Sequence, residues 1–86
     1  MRILLYFDWS ATRKELKEWE GKIKVACDET KVNYMGLHGS MKEKWNYVSM
    51  FETDSYDEFL VMGRKVPRPK FMTHHITEIL MQINLG

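Results

Sequence analysis

The first run of apolar residues, RILLYFDW at residues 2 to 9, has the length of a β-strand. Its odd-numbered positions from Ile3 to Trp9 are all apolar, and its even-numbered positions include Leu4 and Tyr6. Because successive side chains of a strand point to opposite faces, both faces of this predicted strand are largely apolar. The sheet that contains it therefore needs a cover on each side.

The spacing changes to that of a helix over residues 10 to 29. Apolar residues recur there on one helical face, and they are Leu16, Trp19, Ile23, Ala26 and Cys27. Ser10 or Thr12 can cap the start of this helix, because a hydroxyl accepts a hydrogen bond from an otherwise unpaired N–H group.

Residues 31 to 40 and 44 to 52 are typical of two strands, and the polar segment GSMKEK joins them as a hairpin. We expect Gly39 to supply a positive φ in that connection. A second helix is predicted over residues 53 to 65, because Ser55 and Glu58 have capping-box spacing and Phe59 and Met62 share a face. We expect Gly63 to end this helix.

The final segment, from Met72 to Ile83, fits two interpretations. Its isoleucines and leucine match helical spacing, and they also form the apolar face of an alternating strand. The preceding order of β, α, β, β, α favours the strand, because a fourth strand completes a split βαβ arrangement that the second helix can cover.

Composition and charge restrict the class of protein. Eighty-six residues, of which 44% are hydrophobic, predict one domain over residues 1–86. A net charge of +1 with interspersed signs argues against nucleic acid as a partner. No segment is as long and apolar as a membrane span, so we expect no membrane partner. The single cysteine, Cys27, is typical of a buried residue in a reducing compartment, and a cytoplasmic location is expected.

The element order resembles that of the dimeric α/β-barrel superfamily, whose subunits are ferredoxin-like βαββαβ domains. The segments that carry the resemblance are ILLYFDWS, GLHGSMKEKWNYVSMFETDSYDEFL and THHITEILMQI. The resemblance implies an α+β fold, with an antiparallel sheet and two helices on one face. It also implies that a second copy of the sheet covers the other face, so we expect a homodimer that forms a barrel.

The histidine doublet provides the candidate catalytic residues. In a strand, His74 and His75 point to opposite faces and cannot bind one metal together. In the split βαβ order the first and last strands are neighbours, which places Asp8 close to His74, with Tyr6 and Glu78 further along the same face. One interpretation makes Asp8 the group that orients His74 as a general acid or base. The other is a structural polar pair without catalysis.

A helical final segment would instead place His74 and His75 four and three residues from Glu78, which are spacings that can share a metal. Without a second cluster of ligands, no metal and no cofactor is predicted. The last histidine, His38, lies at the end of the second predicted strand and is a candidate ligand-binding residue.

Trp45 and Asn46 begin the third predicted strand. Some monooxygenases of the superfamily use Trp, Asn and His in their pockets, so the resemblance makes Trp45, Asn46 and His74 a candidate set; packing in the core or an interface is the alternative for Trp45. The basic segment GRKVPRPK contains Arg64, Lys65, Arg68 and Lys70. One interpretation is contact with an anion or an RNA backbone, and the favoured one is a solvated loop.

Two functions remain open at this point. One is a dimeric barrel that binds a small organic ligand, either between sheet and helices or inside the barrel, with or without enzymatic activity. The other is a non-catalytic interaction or regulatory module that uses its sheet surface for assembly. No phosphate-binding loop, cysteine pair or nucleophile elbow separates them.

Overall fold

A computed structural model describes residues 1–39 and 46–86 of the chain. Over those residues the chain forms two helices and four strands in the order βαββαβ. The elements are β1 (Arg2–Trp9), α1 (Arg13–Asp28), β2 (Asn33–Gly39), β3 (Tyr47–Glu52), α2 (Tyr56–Lys65) and β4 (Met72–Leu80). The predicted hairpin loop between β2 and β3 lies mostly outside the described residues, and so does Trp45.

The four strands form one antiparallel sheet with the spatial order β2-β3-β1-β4. Together with the two helices, this order makes the chain a small ferredoxin-like α+β fold, as predicted. The final segment is a strand, and β4 pairs antiparallel with β1 over the length of both. The helical interpretation of that segment is therefore wrong.

The core lies between the helices and one face of the sheet. Ile3 and Phe7 of β1 and Phe51 of β3 are fully buried there. The predicted apolar face of α1 is confirmed, because all five of its residues are buried against this side of the sheet. Aromatic rings join the layers, with the ring centroids of Phe7 and Trp19 5.2 Å apart in an edge-to-face arrangement.

Both helices begin with a hydroxyl cap. Thr12, and not Ser10, caps α1, where its hydroxyl accepts from the N–H of Glu15 at 3.2 Å. Ser55 caps α2 and accepts from the N–H of Glu58 at 3.4 Å, as its spacing predicts. The carboxylate of Glu58 is used elsewhere, since it accepts from the N–H of Lys31 at 3.1 Å. That bond ties the start of α2 to the segment that leads into β2.

Two glycine predictions are wrong. Gly39 ends β2 without a positive φ, whereas Gly36 in the middle of the strand has φ 104°. The pairing of β2 with β3 shifts between Tyr34 and Gly36, so Met35 is an extra residue in a bulge that needs the unusual backbone conformation. Gly63 does not end α2, because the helix continues to Lys65.

The face of the sheet that points away from the helices is covered by no helix of residues 1–39 and 46–86, and we call it the open face. Directly opposite residues of paired strands share a face. The register therefore assigns to its centre the side chains of Leu4, Tyr6, Val48, Met50 and Ile76. None of the described helices is long and apolar enough to cross a membrane.

Candidate functional site

The predicted contact between Asp8 and His74 is present at one end of the open face. The pairing of β1 with β4 shifts between Phe7 and Trp9, so β4 has one more residue there than β1. A bulge of this kind bends the strand and redirects a side chain. It places Nδ1 of His74 3.3 Å from a carboxylate oxygen of Asp8.

The other carboxylate oxygen of Asp8 accepts from the backbone N–H of Asn46 at 2.8 Å. Asp8 thus joins the end of β1 to the start of β3 as well as to β4. Asn46 contacts Asp8 through its backbone, and its role in ligand binding stays a prediction. Of the two side chains in the pair, that of Asp8 is 24% exposed and that of His74 is 74% exposed.

The chemical capacity of the Asp8–His74 pair follows from this geometry. The contact of the Asp8 carboxylate with Nδ1 leaves Nε2 of His74 to exchange protons, which is the pairing that an oriented general base uses. In the single chain the His74 ring is surrounded mostly by solvent. Proton transfer at such a position lacks the enclosed environment that tunes catalytic groups.

Glu78 and His38 are not brought to this pair. Glu78 lies on the same face but four residues further along β4, a separation of about 13 Å. His38 is on β2, at the opposite edge of the sheet, where three strand spacings separate it from β4 by about 14 Å. Tyr6 is nearer, two residues from Asp8 on the same face of β1.

The histidine doublet is divided between the two faces, as predicted. His75 pairs with Phe7 on the helix side of the sheet, opposite in direction to His74. Burial lowers the pKa of His75, and the positive charge of Arg68 lowers it further. Within residues 1–39 and 46–86, no group of three His, Cys, Asp or Glu side chains could hold a metal ion.

A second candidate site lies on the helix side, where α2 and the sheet enclose a cleft of about 360 Å³. Its floor is formed by Leu5, Phe51 and Thr77 of three adjacent strands. Its walls come from both helices and from the connector that follows α2. We call it the α2 cleft, and its lining residues are Leu5, Trp19, Ile23, Phe51, Tyr56, Phe59, Leu60, Met62, Gly63, Arg64, Val66, Arg68, Met72 and Thr77.

The α2 cleft exists because the two helices do not extend over the edge strand. Every residue of β4 after Met72 is exposed, including Thr77 and Ile79 on the helix side. Tyr56 and Leu60 of α2 face this gap and are 39% and 37% exposed. The result is an apolar recess that is open toward β4.

The sequence-based reasoning allowed for a ligand between sheet and helices but named none of the residues that line the α2 cleft as a ligand-binding residue. Arg64 and Arg68 were interpreted as parts of a solvated loop, yet both line the recess. Periodicity identifies which side of α2 is apolar but does not give the distance of the helix from β4. The available signal was the short α2, which is followed directly by the connector VPRP.

Two further titratable groups lie in the core and away from both sites. Burial raises the pKa of the Cys27 thiol to about 11, with a smaller contribution from Asp28. This keeps Cys27 protonated at neutral pH and makes it a packing residue, since the thiolate is the nucleophile. Burial also raises the pKa of Tyr34, whose hydroxyl donates to Glu20 at 2.8 Å.

The fold and the α2 cleft define the class: a small ferredoxin-like α+β protein with an uncovered sheet face and an apolar recess beside α2. The sequence adds no narrower assignment. No known family model matches the chain, and a comparison with curated proteins finds no significant match.

Proposed function

We propose that this protein is a homodimeric α/β-barrel protein that binds a small organic ligand in the α2 cleft of each subunit. The observation that carries the ligand-binding part is the cleft itself, with a volume of about 360 Å³ and a lining of mostly apolar and aromatic side chains. Ligand sites of proteins have volumes of about 300 to 1,000 Å³ and the same type of lining.

The arrangement of residues on the open face supports the dimer. Two central rows across the strands are mainly apolar and contain Leu4, Met50, Tyr6, Val48 and Ile76. Polar pairs lie at the two ends, with Arg2 and Glu52 at one and Asp8 and His74 at the other. An apolar centre with a polar rim is the anatomy of a protein interface.

The area of the open face is also sufficient for association with a second copy. Four strands about 4.8 Å apart and about 25 Å long present about 500 Å². Two copies then bury about 1,000 Å² in total, without the additional surface of the protruding side chains. This area is the lower limit for a specific interface. Exposed apolar residues beyond β4, such as Met81 and Ile83, would add to that area.

A non-catalytic assembly module is the second candidate function, and the same open face favours it. In that case the sheet surface is the functional surface, and the α2 cleft is a packing irregularity without a ligand. The two candidates differ in one respect that can be tested directly, which is whether the α2 cleft admits an apolar molecule.

A fluorescence titration with N-phenylnaphthylamine, a neutral apolar dye, tests the cleft. Gly63 offers a way to fill it, because it lines the recess and a Cβ built there has no heavy atom within 4 Å. Gly21 of α1 is a matched control, since its Cβ also has free space and it lies outside the cleft. Either Gly→Leu change replaces a helical glycine, so neither is expected to destabilise its helix.

We expect the dye to bind the wild-type protein and the Gly21→Leu variant equally well. Gly63→Leu should weaken binding at least about tenfold, because the leucine side chain occupies the recess. Absence of dye binding, or equal binding to both variants, would contradict ligand binding in the α2 cleft. A dye bound to the open face, for example, would not respond to the change at Gly63.

A further inference from the structure

Two arginines stand at the mouth of the α2 cleft. Arg64 lies in the last turn of α2, and Arg68 lies in the connector to β4. Both line the cleft and both are exposed. The two cations therefore border an apolar recess and keep contact with solvent, which is a position from which they can reach a ligand.

Neither arginine forms an ion pair with a carboxylate of the described residues. The ion pairs among residues 1–39 and 46–86 involve Arg2, Lys24, Lys65 and His74, and none involves Arg64 or Arg68. The described lining of the cleft contains no carboxylate. The recess therefore has a positive mouth without an internal counter-charge.

The connector restricts where Arg68 can lie. Pro67 and Pro69 flank it, and each proline fixes its own φ and limits the conformations of the residue before it. Strand β4 forms the side of the cleft opposite α2. The positive charge of Arg68 lowers the pKa of His75 on that strand. A connector whose backbone is restricted in this way loses less conformational freedom when Arg68 binds an anion.

We infer that the ligand of the α2 cleft is an amphipathic organic acid, with its apolar body in the recess and its anionic group held at the mouth by Arg64 and Arg68. This inference rests on the proposed ligand-binding function. Guanidinium groups bind carboxylates and related oxyanions through paired, charge-assisted hydrogen bonds. Thr77 on the floor offers one hydroxyl to a polar atom of the body.

A matched pair of dyes separates this inference from the proposed function. Anilinonaphthalene sulfonate carries the same aromatic body as N-phenylnaphthylamine and adds one anionic group. The test variant is Arg64→Gln/Arg68→Gln. Its control is Lys65→Gln/Lys70→Gln, which removes the same charge from neighbouring positions that do not line the cleft.

We expect the arginine variant to bind the anionic dye at least about tenfold more weakly than the wild type, because charge-assisted contacts are lost. Its affinity for the neutral dye should stay within about twofold. The lysine variant should bind both dyes about as the wild type does, apart from a small loss through long-range charge that added salt screens.

Equal losses of the anionic dye in the arginine and lysine variants would overturn the inference, because net charge alone would then explain binding. Unchanged affinity in the arginine variant would also overturn it. Both results leave the proposed function intact if Gly63→Leu still excludes the neutral dye. Failure of the neutral dye to bind the wild-type protein contradicts the proposed function instead.

Discussion

The two faces of the sheet contain similar residues and reach different degrees of burial. On the helix side, Phe7 of β1 and Phe51 of β3 are fully buried. On the open face of the same two strands, Leu4 is 9% exposed, and Val48 and Met50 are only partly buried. The difference arises from the fold, since the chain provides two helices and both lie on one side.

This comparison supports the proposal that the open face associates with a second copy of the chain. Burial of an aliphatic side chain contributes about 1.5 to 3 kcal/mol, and a chain of this length buries a smaller share of its surface than a larger domain does. The free energy that burial of several exposed apolar side chains would contribute is a large fraction of the stability of a small protein. In the proposed dimer, a second copy of the open face would cover them without any additional element.

The largest expected effect comes from the helix side. Phe51→Ala should lower the free energy of unfolding by about 3 to 5 kcal/mol, because it leaves a cavity in the core. The neighbouring change Met50→Ala is its control on the open face. It should cost less, because Met50 is only partly buried in the single chain, and its cost should depend on protein concentration if the proposed dimer covers it. Urea unfolding at two concentrations measures both.

If Phe51→Ala and Met50→Ala have equal and concentration-independent costs, the two faces do not differ as described. If Met50→Ala is the more destabilising at low concentration, the open face is already covered within one chain.

A pH effect follows from Cys27 on the helix side. Its pKa is raised from about 9 to about 11 in the folded protein, so the folded state holds the thiol proton where the unfolded state releases it. Stability should therefore fall as the pH rises from 9 to 11, by up to about 3 kcal/mol. Cys27→Ala should remove this part of the alkaline loss, and Tyr34 should retain its own part.

Unfolding free energies of the wild type and the Cys27→Ala variant, measured from pH 8 to pH 11 in steps of about one pH unit, test this point. Parallel curves for the wild type and Cys27→Ala would show that the thiol is not protected by burial. Such a result would place the residue outside the core.

A smaller effect is expected at the polar end of the open face. Asp8→Ala removes the acceptor for the N–H of Asn46 and the partner of His74, and should cost about 1 kcal/mol. Asp8→Asn keeps an oxygen that can accept from Asn46 and should cost less than half as much. Chemical denaturation of the two variants measures the difference. Equal costs would mean that the carboxylate charge, and not the hydrogen bond to Asn46, stabilises this end.

Much of the fold could be predicted because it depends on local patterns. The short apolar run of β1 has the length of a strand, and the spacing from Leu16 to Cys27 is that of one helical face. The contact of Asp8 with His74 also followed, because the order of elements makes β1 and β4 antiparallel neighbours. In that case topology alone brings two distant residues together.

Features that depend on three-dimensional spacing could not be predicted. The bulge at Met35 places the positive φ at Gly36, although the sequence pattern favoured Gly39. The α2 cleft depends on how far α2 lies from β4, and no pattern of residues encodes that distance. Arg64 and Arg68 were therefore assigned to a loop, and their position beside the recess became visible only in the structure.

The most direct test of this account is the molar mass in solution, measured by light scattering on the wild type and two variants. Ile76→Lys places a charge at the centre of the open face, and Ile79→Lys makes the same change on the same strand but on the helix side. The two isoleucines are 47% and 43% exposed, so they are closely matched. We predict twice the chain mass of 10.3 kDa for the wild type and Ile79→Lys, and the mass of one chain for Ile76→Lys. A wild-type protein that stays monomeric, or a dimer that Ile76→Lys leaves intact, would contradict association through the open face.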